Sequence, residues 1–472
     1  MRCARATLWW PAVLLAVSAA GAEAPLRLDV AGAIRLALER NRVLTIAAKD
    51  VGQRELDVDG AATEFQWSVK PDTQAGLSGD GVEGRYGLSV AKKFTPGTTI
   101  SASGGAQRLA DAETNPWRSY LQIEVSQPLL RRAGRLAQTE PITEASERLR
   151  AARRQWEQQK SDVAMDVVRT FERMILLQRQ LEFDRAFYGR SEAFHALTQA
   201  REKQGRATRV DALRVEMQRG EALSRLENNR EELFSSAQLL AELVGAAPDA
   251  TFELEPPPHL VLKLPSVDEA LRTALARRLD YAQAQQDRRT GERQLVLARR
   301  GRLPDLSVVV RTERAGDHGD FGSSLQTEPT HWFAGLASDT DFNRTRERIA
   351  FRQAALSSDA AAETVALKER TIAREVQQIL ARCRRAETDL GIAGRNRTLS
   401  GSRAELARRL FNAGRGDHFS VTDAEDAEVL AESRLLAARA EASLCGYELM
   451  RTLGTLLESP ADLLPGAAKE NP

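Results

Sequence analysis

Aromatic residues, cysteine and an excess of charge of either sign are all scarce in this sequence. Of 472 residues only 5% are Phe, Trp or Tyr, three are Cys, and 67 Lys and Arg stand against 66 Asp and Glu. The charge balance argues against a nucleic-acid scaffold, which needs a basic excess to displace counterions from phosphate. Three cysteines cannot form a disulfide framework, and they lack the spacing of zinc ligands. After the first two dozen residues no apolar run of about 18 residues occurs, so the sequence predicts no transmembrane helix.

Signatures of catalysis are also missing. The five histidines stand far apart, with no i, i+4 pair that would suit a metal ion. No glycine-rich phosphate loop follows a strand pattern, and no nucleophile elbow occurs. The sequence therefore predicts a protein that is not an enzyme and has no catalytic residue, no cofactor and no metal site.

The N-terminus has the order of a secretory signal peptide. Residues 1–22 contain two early arginines, a short apolar stretch and small residues just before the expected cleavage point; a buried N-terminal helix is the alternative. Cys3 would leave with the signal. Cys383 and Cys445 lie within helical patterns and are expected to stay free thiols. We expect the mature protein to be exported across a bacterial inner membrane.

Two long stretches without proline predict long helices. Residues 142–247 and 330–459 contain no proline and are rich in strong helix formers. Within the first stretch, apolar residues recur in alternating steps of three and four, as in supercoiled helices. Each stretch is broken once by a glycine followed by a polar turn, at Gly205 and at Gly414. Each therefore predicts a hairpin of one longer and one shorter helix.

The two halves of the chain are copies of each other. The two hairpin-breaking glycines lie 209 residues apart, and so do Gly245 and Gly454 near the hairpin ends. The apolar pattern of residues 33–38 recurs at 270–275, an offset of 237 residues. The two offsets differ by 28 residues, so the first half contains an extra segment, which we expect to form an additional hairpin.

Alternating apolar and polar residues predict strands between the opening helix and the long hairpin of each half. Such runs occupy residues 65–126 and 305–340. A small soluble β-domain is one interpretation. The other is a membrane barrel, but four to six strands are too few to close one, since the smallest need about eight. A barrel would therefore take several chains. The aromatic residues predicted to lie at the membrane interface are Trp117, Tyr120, Trp332 and Phe333.

These features together resemble TolC-type outer-membrane efflux proteins. The run QPLLRRAG at residues 127–134 is similar to the strand-to-helix junction of that family. The run FSVTDA at residues 419–424, after Gly414, is similar to its helical tip, and LMRTLG at 449–454 fits its closing segment. The resemblance covers residues 29–457.

The resemblance implies a mainly α fold with a small β part. Duplicated long αα-hairpins would form a periplasmic α-barrel, and the strands would contribute to a shared trimeric outer-membrane β-barrel. The implied protein is a homotrimer in outer-membrane lipid with its helical part in the periplasm, and it does not bind nucleic acid. It would be the passive exit duct of a tripartite efflux or type I secretion system, coupled to an inner-membrane transporter through a periplasmic adaptor (membrane fusion) protein.

Two further interpretations stay open. Efflux and type I secretion use the same fold and are not separated by the sequence. A soluble periplasmic coiled-coil adaptor or scaffold without a pore is the alternative from another class; it would have no apolar band facing outward from its strands.

The predicted organisation is a signal peptide (1–22), a first repeat (23–245, with opening helix 29–62, strands 65–126 and hairpin 134–245), a linker (246–265), a second repeat (266–457, with opening helix 270–301, strands 305–340 and hairpin 343–456) and a tail (458–472).

The tips of the two hairpins carry the predicted entrance residues. Matched by position to the family, Asp211 and Asp423 correspond to acids that narrow the periplasmic entrance, and three-fold symmetry would make a ring of each. Family members often carry a second acid three residues before the one matched by Asp423. That place is Ser420 here, which weakens the charge of the ring. Acids that favour a helix N-terminus are the alternative interpretation. The predicted adaptor contacts are Gly205, Arg206, Gly414, Arg415 and Gly416.

Overall fold

The structure of the chain is a computed structural model. It describes residues 26–78, 81–108, 117–205, 207–255, 264–318, 330–416 and 418–457. The predicted signal peptide, the proline-rich part of the predicted linker and the predicted C-terminal tail lie outside the described residues.

Long helices dominate the described chain. The helices are α1 (Val30–Arg40), α2 (Arg42–Ala62), α3 (Arg135–Gln138), α4 (Glu140–Lys203), α5 (Arg209–Val244), α6 (Val267–Arg277), α7 (Leu279–Gly301), α8 (Thr345–Asn412) and α9 (His418–Leu453). The strands are β1 (Leu26–Leu28), β2 (Trp67–Ser78), β3 (Gly81–Lys93), β4 (Thr99–Arg108), β5 (Trp117–Pro128), β6 (Phe252–Leu254), β7 (Leu306–His318) and β8 (His331–Ser338).

The elements of the second half repeat those of the first in order and nearly in length. Helices α1 and α6 have 11 residues each, and α2 and α7 have 21 and 23. The long helices α4 and α8 have 64 and 68 residues, and their partners α5 and α9 have 36 each. The predicted fold class, mainly α with duplicated long hairpins and a small β part, is confirmed.

The described strands of the two halves are unequal in number. The first half contributes β2–β5 and the second half β7 and β8 to one antiparallel sheet, in the order β2-β3-β4-β5-β7-β8. The hairpin of β3 and β4 runs from residue 81 to residue 108, a span of 28 residues. This equals the surplus between the two repeat offsets, so the additional hairpin lies within the sheet.

The chain divides into two compact units. The first comprises the residues up to 41, 166–260 and 390–444; the second comprises 42–165, 261–389 and the residues from 445 onward. The two-stranded parallel pair β1–β6 belongs to the first unit, and the six-stranded sheet belongs to the second.

Each unit contains the same joint between a glycine and a short helix. In the first unit Gly245 follows α5 with a φ of +68°, and a Cβ there would lie 2.9 Å from the Arg40 Cβ at the end of α1. In the second unit Gly454 follows α9 with a φ of +75°, and a Cβ would lie 3.1 Å from the carbonyl of Arg277 at the end of α6. Glycine is required at both places because the backbone is left-handed and the neighbouring helix end is in contact.

The core of the second unit joins three helices. Its buried members on α8 include Ile372, Val376, Ile379 and Leu380, and it is completed by Ala270 and Ala274 from α6 and by Leu449 from α9. The alanines of α6 bring that helix close to the large aliphatic side chains of α8, so the short opening helix of the second half is fixed against the long helix that follows it.

Two buried cysteines in this core are joined to each other. Cys383 on α8 and Cys445 on α9 form a disulfide, with an S–S distance of 2.03 Å and Cα atoms 5.5 Å apart. The prediction of free thiols is therefore wrong. Each cysteine taken alone shows only a helical pattern, and the pairing arises because α8 and α9 turn these two positions into the same core. A disulfide is typical of proteins in an oxidising compartment, in agreement with the expected export.

Thiol counting tests the disulfide. After denaturation without reductant, the mature protein should show no reactive thiol, and reduction should release two. The bond closes a chain segment with a sequence separation of 62. Because loop closure restricts the unfolded chain, Cys383→Ala with Cys445→Ala should lower the free energy of unfolding by about 4 kcal/mol. Two reactive thiols before reduction would contradict the pairing.

Candidate functional site

The six-stranded sheet has one face made mostly of apolar side chains. Successive residues of a strand point to opposite faces, and the observed register aligns most apolar positions of the six strands on the same side. The apolar side chains of this face include Trp67, Val69, Pro71, Leu77, Tyr86, Leu88, Val90, Ile100, Ala102, Trp117, Leu121, Ile123, Val125, Val308, Val310, Trp332, Ala334 and Leu336.

The apolar face is open to its surroundings. Trp332 is 78% exposed, Leu336 66% and Val69 58%. Charged side chains on this face are Lys92 at the end next to the helices, Arg108 at the far end of β4, and Arg314, whose Nε donates to Thr330 Oγ1 at 2.6 Å. An exposed apolar surface of this size is unusual for a sheet in water and typical of a strand wall in lipid.

The opposite face of the sheet is polar. Its described side chains include Ser68, Lys70, Asp72, Gln74, Arg85, Ser89, Ser101, Ser103, Gln122, Glu124, Arg311 and Glu313. An ion pair crosses from β7 to β5, where Arg311 Nε donates to Glu124 Oε2 at 3.0 Å. Such a face is suited to water, so the two sides of the sheet fit two different environments.

Lysines and aromatic rings lie together at the end of the sheet nearest to the helices. The Lys92 Nζ lies 5.1 Å from the ring centre of Trp67 and 5.7 Å from that of Phe94. The Lys93 Nζ lies 5.6 Å from the ring centre of Phe65. Aromatic rings with lysines that extend towards water are typical of a membrane–water boundary. The sequence prediction missed this cluster, although the run KKF at residues 92–94 is its visible sign.

The four predicted interface aromatics do not share a face. Trp117 and Trp332 lie on the apolar face, whereas Tyr120 and Phe333 lie on the polar face. The Tyr120 hydroxyl lies across the neighbouring strands, 2.9 Å from where a Cβ of Gly87 would be. A location at the membrane interface stays a prediction for all four, and the face assignment favours the two tryptophans.

At the first hairpin tip, Asp211 takes part in the start of a helix. Gly205 ends the long helix in a left-handed conformation, with a φ of +67°; Arg206 lies outside the described residues. Thr208 caps α5: the backbone N–H of Asp211 donates to Thr208 Oγ1 at 3.2 Å, and the N–H of Thr208 donates to Asp211 Oδ2 at 3.1 Å. This reciprocal capping box means that the Asp211 carboxylate has a structural role whether or not it also faces a pore.

At the second tip, Asp423 is exposed and forms an ion pair with Arg403 of α8. Ser420 is exposed one helical turn earlier. Gly414 is left-handed with a φ of +70°, and Arg415 N–H donates to Leu410 O at 2.9 Å, which closes the end of α8. Gly416 is also tightly placed, since a Cβ there would lie 3.0 Å from the backbone nitrogen of Phe411. The gate and adaptor roles of these residues stay predictions.

Buried acids in the first unit escaped the sequence prediction. Glu172 on α4 is only 4% exposed and accepts a hydrogen bond from the Ser443 hydroxyl of α9. Burial raises the pKa of Glu172, and the hydrogen bond opposes that rise. Asp184 is likewise buried and accepts from the Asn229 amide; its pKa is raised by burial, against the effects of Asn229 and Arg225. Helical periodicity alone does not distinguish such inward-facing acids from the many exposed ones.

The described residues offer neither a metal site nor a membrane-spanning helix. None of them form a group of three or more His, Cys, Asp or Glu side chains arranged to hold a metal ion. No helix among them combines the length and apolarity needed to cross a membrane.

Comparison with known proteins gives similarity of fold. No protein-family profile matches the chain, and no curated protein sequence matches it. Solved structures do match over nearly the full length. The outer-membrane channel OprN superposes with a TM-score of 0.71 at 16% identity, covering 90% of each chain.

Two other solved structures give the same result. The outer-membrane protein VceC of Vibrio cholerae has a TM-score of 0.70 at 15% identity, covering 90% of this chain and 96% of its own. The CmeC outer-membrane channel of Campylobacter jejuni has a TM-score of 0.70 at 12% identity, covering 92% and 87%. The chain therefore has the fold of TolC-type outer-membrane channels, which confirms the resemblance found in the sequence at the level of fold.

The raised pKa of Glu172 predicts a pH-dependent stability. Because the folded state favours the protonated acid, its contribution is fully present below the ordinary pKa of glutamic acid and is lost as pH rises through the raised value. Glu172→Gln should therefore raise the melting temperature by a few degrees at pH 8, with no difference near pH 4. Glu231→Gln, at an exposed position of α5, is the matched control and should change neither. An equal effect of both variants at pH 8 would contradict the assignment.

Proposed function

We propose that the protein is an outer-membrane exit duct. In this proposal it is a homotrimer whose strands together line a pore in the outer membrane and whose helices extend into the periplasm. It conducts exported molecules passively and is coupled, through a periplasmic adaptor protein, to an inner-membrane transporter that supplies the energy. The chain itself carries out no chemical reaction.

The observation that carries the proposal is the two-sided sheet. An exposed apolar face that continues across six strands needs lipid, and the polar face behind it needs water. A wall between lipid and water is the structure that both faces fit. The fold shared with OprN, VceC and CmeC supports the same role, since those proteins are described as outer-membrane proteins or channels.

The apolar face also weighs against the soluble adaptor or scaffold. Such a protein would keep its strands in water, where an apolar surface of this extent promotes aggregation. The helical hairpins alone would suit either function, because both classes use long paired helices. The strands, rather than the helices, therefore favour the duct.

A pair of lysine substitutions on one strand tests the membrane wall. Ile123→Lys places a charge on the apolar face of β5, where lipid contact would cost about 2–4 kcal/mol near the bilayer midplane. Gln122→Lys places the same charge on the adjacent, polar face. We expect Ile123→Lys to reduce strongly the amount of heat-stable oligomer in outer membranes, and Gln122→Lys to assemble as the unsubstituted protein does. The oligomer is measured by membrane fractionation followed by gel electrophoresis of unheated samples. Equal assembly of both variants, or recovery of the unsubstituted protein in the soluble periplasmic fraction, would contradict the proposal.

Within the proposed duct, the hairpin tips form the periplasmic entrance and the adaptor contact. Asp423 is the better candidate for a gate, because its exposed pair with Arg403 leaves the carboxylate near water. Asp211 is engaged in the capping box, so a substitution there changes the fold as well as any ring of charge.

The two acids should therefore respond differently to removal. In planar bilayers, Asp423→Ala should lower the preference for cations, measured as the reversal potential in a KCl gradient, with little change in melting temperature, since an exposed ion pair contributes about 0–1 kcal/mol. Asp211→Ala should lower the free energy of unfolding by about 1 kcal/mol through loss of the cap. A reversal potential that Asp423→Ala leaves unchanged would remove Asp423 from the gate.

A further inference from the structure

The sheet ends in two edge strands, β2 and β8. Among the described residues each of them pairs with a neighbour on one side only. Unpaired backbone N–H and C=O groups are strongly unfavourable in lipid, and an open edge within the hydrocarbon region is not tolerated. If the apolar face contacts lipid, both edges need partner strands.

The direction of the strands makes the two edges complementary. All neighbours in the sheet are antiparallel. In a sheet of six antiparallel strands the first and the last run in opposite directions. β8 of one copy can therefore pair with β2 of the next copy in the same antiparallel manner as every pair within the chain, and repetition around an axis closes a ring.

The additional hairpin of the first half belongs to this wall. The hairpin β3–β4 pairs along its length with β2 on one side and with β5 on the other. Its residues alternate in step with theirs: Leu88 and Ala102 lie on the apolar face, and Ser89 and Ser103 on the polar face. It is therefore a pair of wall strands rather than an appended loop.

We infer that three copies close one barrel of 18 strands, with β8 of each copy paired to β2 of the next and the hairpin β3–β4 built into the wall. The inference rests on the proposed trimeric duct. With strands about 4.8 Å apart and tilted by about 40°, such a barrel is roughly 35 Å across at the backbone. Without the hairpin, 12 strands would give roughly 24 Å, so the hairpin about doubles the cross-section. Barrels of this strand number leave an aqueous passage.

We call the pairing of β8 in one copy with β2 in the next copy the seam. The tilt of the strands sets the register of this pairing. Six strands give each copy a width of about 29 Å, and a tilt of about 40° shifts the pairing by about seven residues from one copy to the next. The shift must be even, because an odd shift would turn apolar side chains towards water. Six and eight residues both satisfy the tilt.

The observed sheet favours a shift of six residues over a shift of eight. The row of paired residues through Trp67, the first residue of β2, reaches Ala334 in β8, and β8 continues four residues further to Ser338. Relative to the row of paired residues, the helix-side ends of the strands thus move by four residues over the five steps from β2 to β8. One further step, from β8 to β2 of the next copy, brings this displacement to about five residues. Residues 63–65 before β2 are helical, so the shift runs towards higher numbers in β2. Within one copy, the row of paired residues that contains Phe333 reaches Ser68 in β2. With a shift of six residues, Phe333 lies opposite Gln74 of the next copy.

Cysteine cross-linking tests the seam in the assembled protein. Phe333→Cys combined with Gln74→Cys should give covalent dimers and trimers, and no larger species, when outer membranes are treated with a short bis-maleimide. Phe333→Cys combined with Ser68→Cys is the matched control: its β2 cysteine stands on the same polar face, about six residues or 20 Å further along the strand. The native cysteines are paired with each other and give no background. Cross-linking of the control pair alone, or of neither pair, would overturn the seam.

Labelling of β4 tests whether the hairpin lies in the wall. In intact membranes, a membrane-impermeant maleimide should label Ser103→Cys and leave Ala102→Cys unlabelled, since the first faces the aqueous lumen and the second faces lipid. Equal labelling of the two would overturn the 18-stranded barrel. If labelling is equal while the protein remains a trimer that conducts ions, the proposed duct stands without this wall. If there is neither a trimer nor conduction, the proposed function itself has failed.

Discussion

Backbone hydrogen bonding in lipid is the constraint on which this account depends. A strand wall in a membrane must pair every N–H and C=O group, present apolar side chains outward and keep polar side chains on the water side. Among the described residues, the sheet of this chain has the apolar and the polar face that the second and third demands require, and it leaves the first demand unmet at β2 and β8. In the proposed duct one chain is therefore an incomplete wall, and assembly follows from the same chemistry as the faces. The helices add a second requirement, since their repeated hairpins have the fold of channels that are found in outer membranes.

Much of this architecture could be predicted from the sequence because it is repetitive. Helical periods sustained over many turns, glycines at matching distances and strands of alternating polarity each give a local signal, and the duplication makes most of these signals appear twice. The 28-residue surplus predicted an additional hairpin without its place. Only the pairing of β3 with β2 and of β4 with β5 located that hairpin inside the sheet.

The features that were not predicted from the sequence depend on which residues lie close together in the folded chain. Cys383 and Cys445 stand 62 positions apart on different helices, and nothing local indicates that both point into one core. Glu172 has the same local pattern as many exposed glutamates, and its contact with Ser443 arises only in the folded chain. Tyr120 and Phe333 fit the composition of an interface belt, but the strand register turns them to the polar face. For Asp211 the sequence predicted two roles, an entrance acid and an acid at a helix start. The structure shows the capping box, and the same carboxylate can also serve at the entrance.

The central claim is that copies of this chain complete each other's sheet to form one pore. Electron cryomicroscopy of the protein extracted from outer membranes into lipid nanodiscs measures this most directly, by viewing the strand wall down its axis. The account predicts three-fold symmetry, 18 strands around a single water-filled lumen and the apolar face against lipid. A sheet that remains separate in each copy, or one whose apolar face packs against protein outside the bilayer, would contradict it.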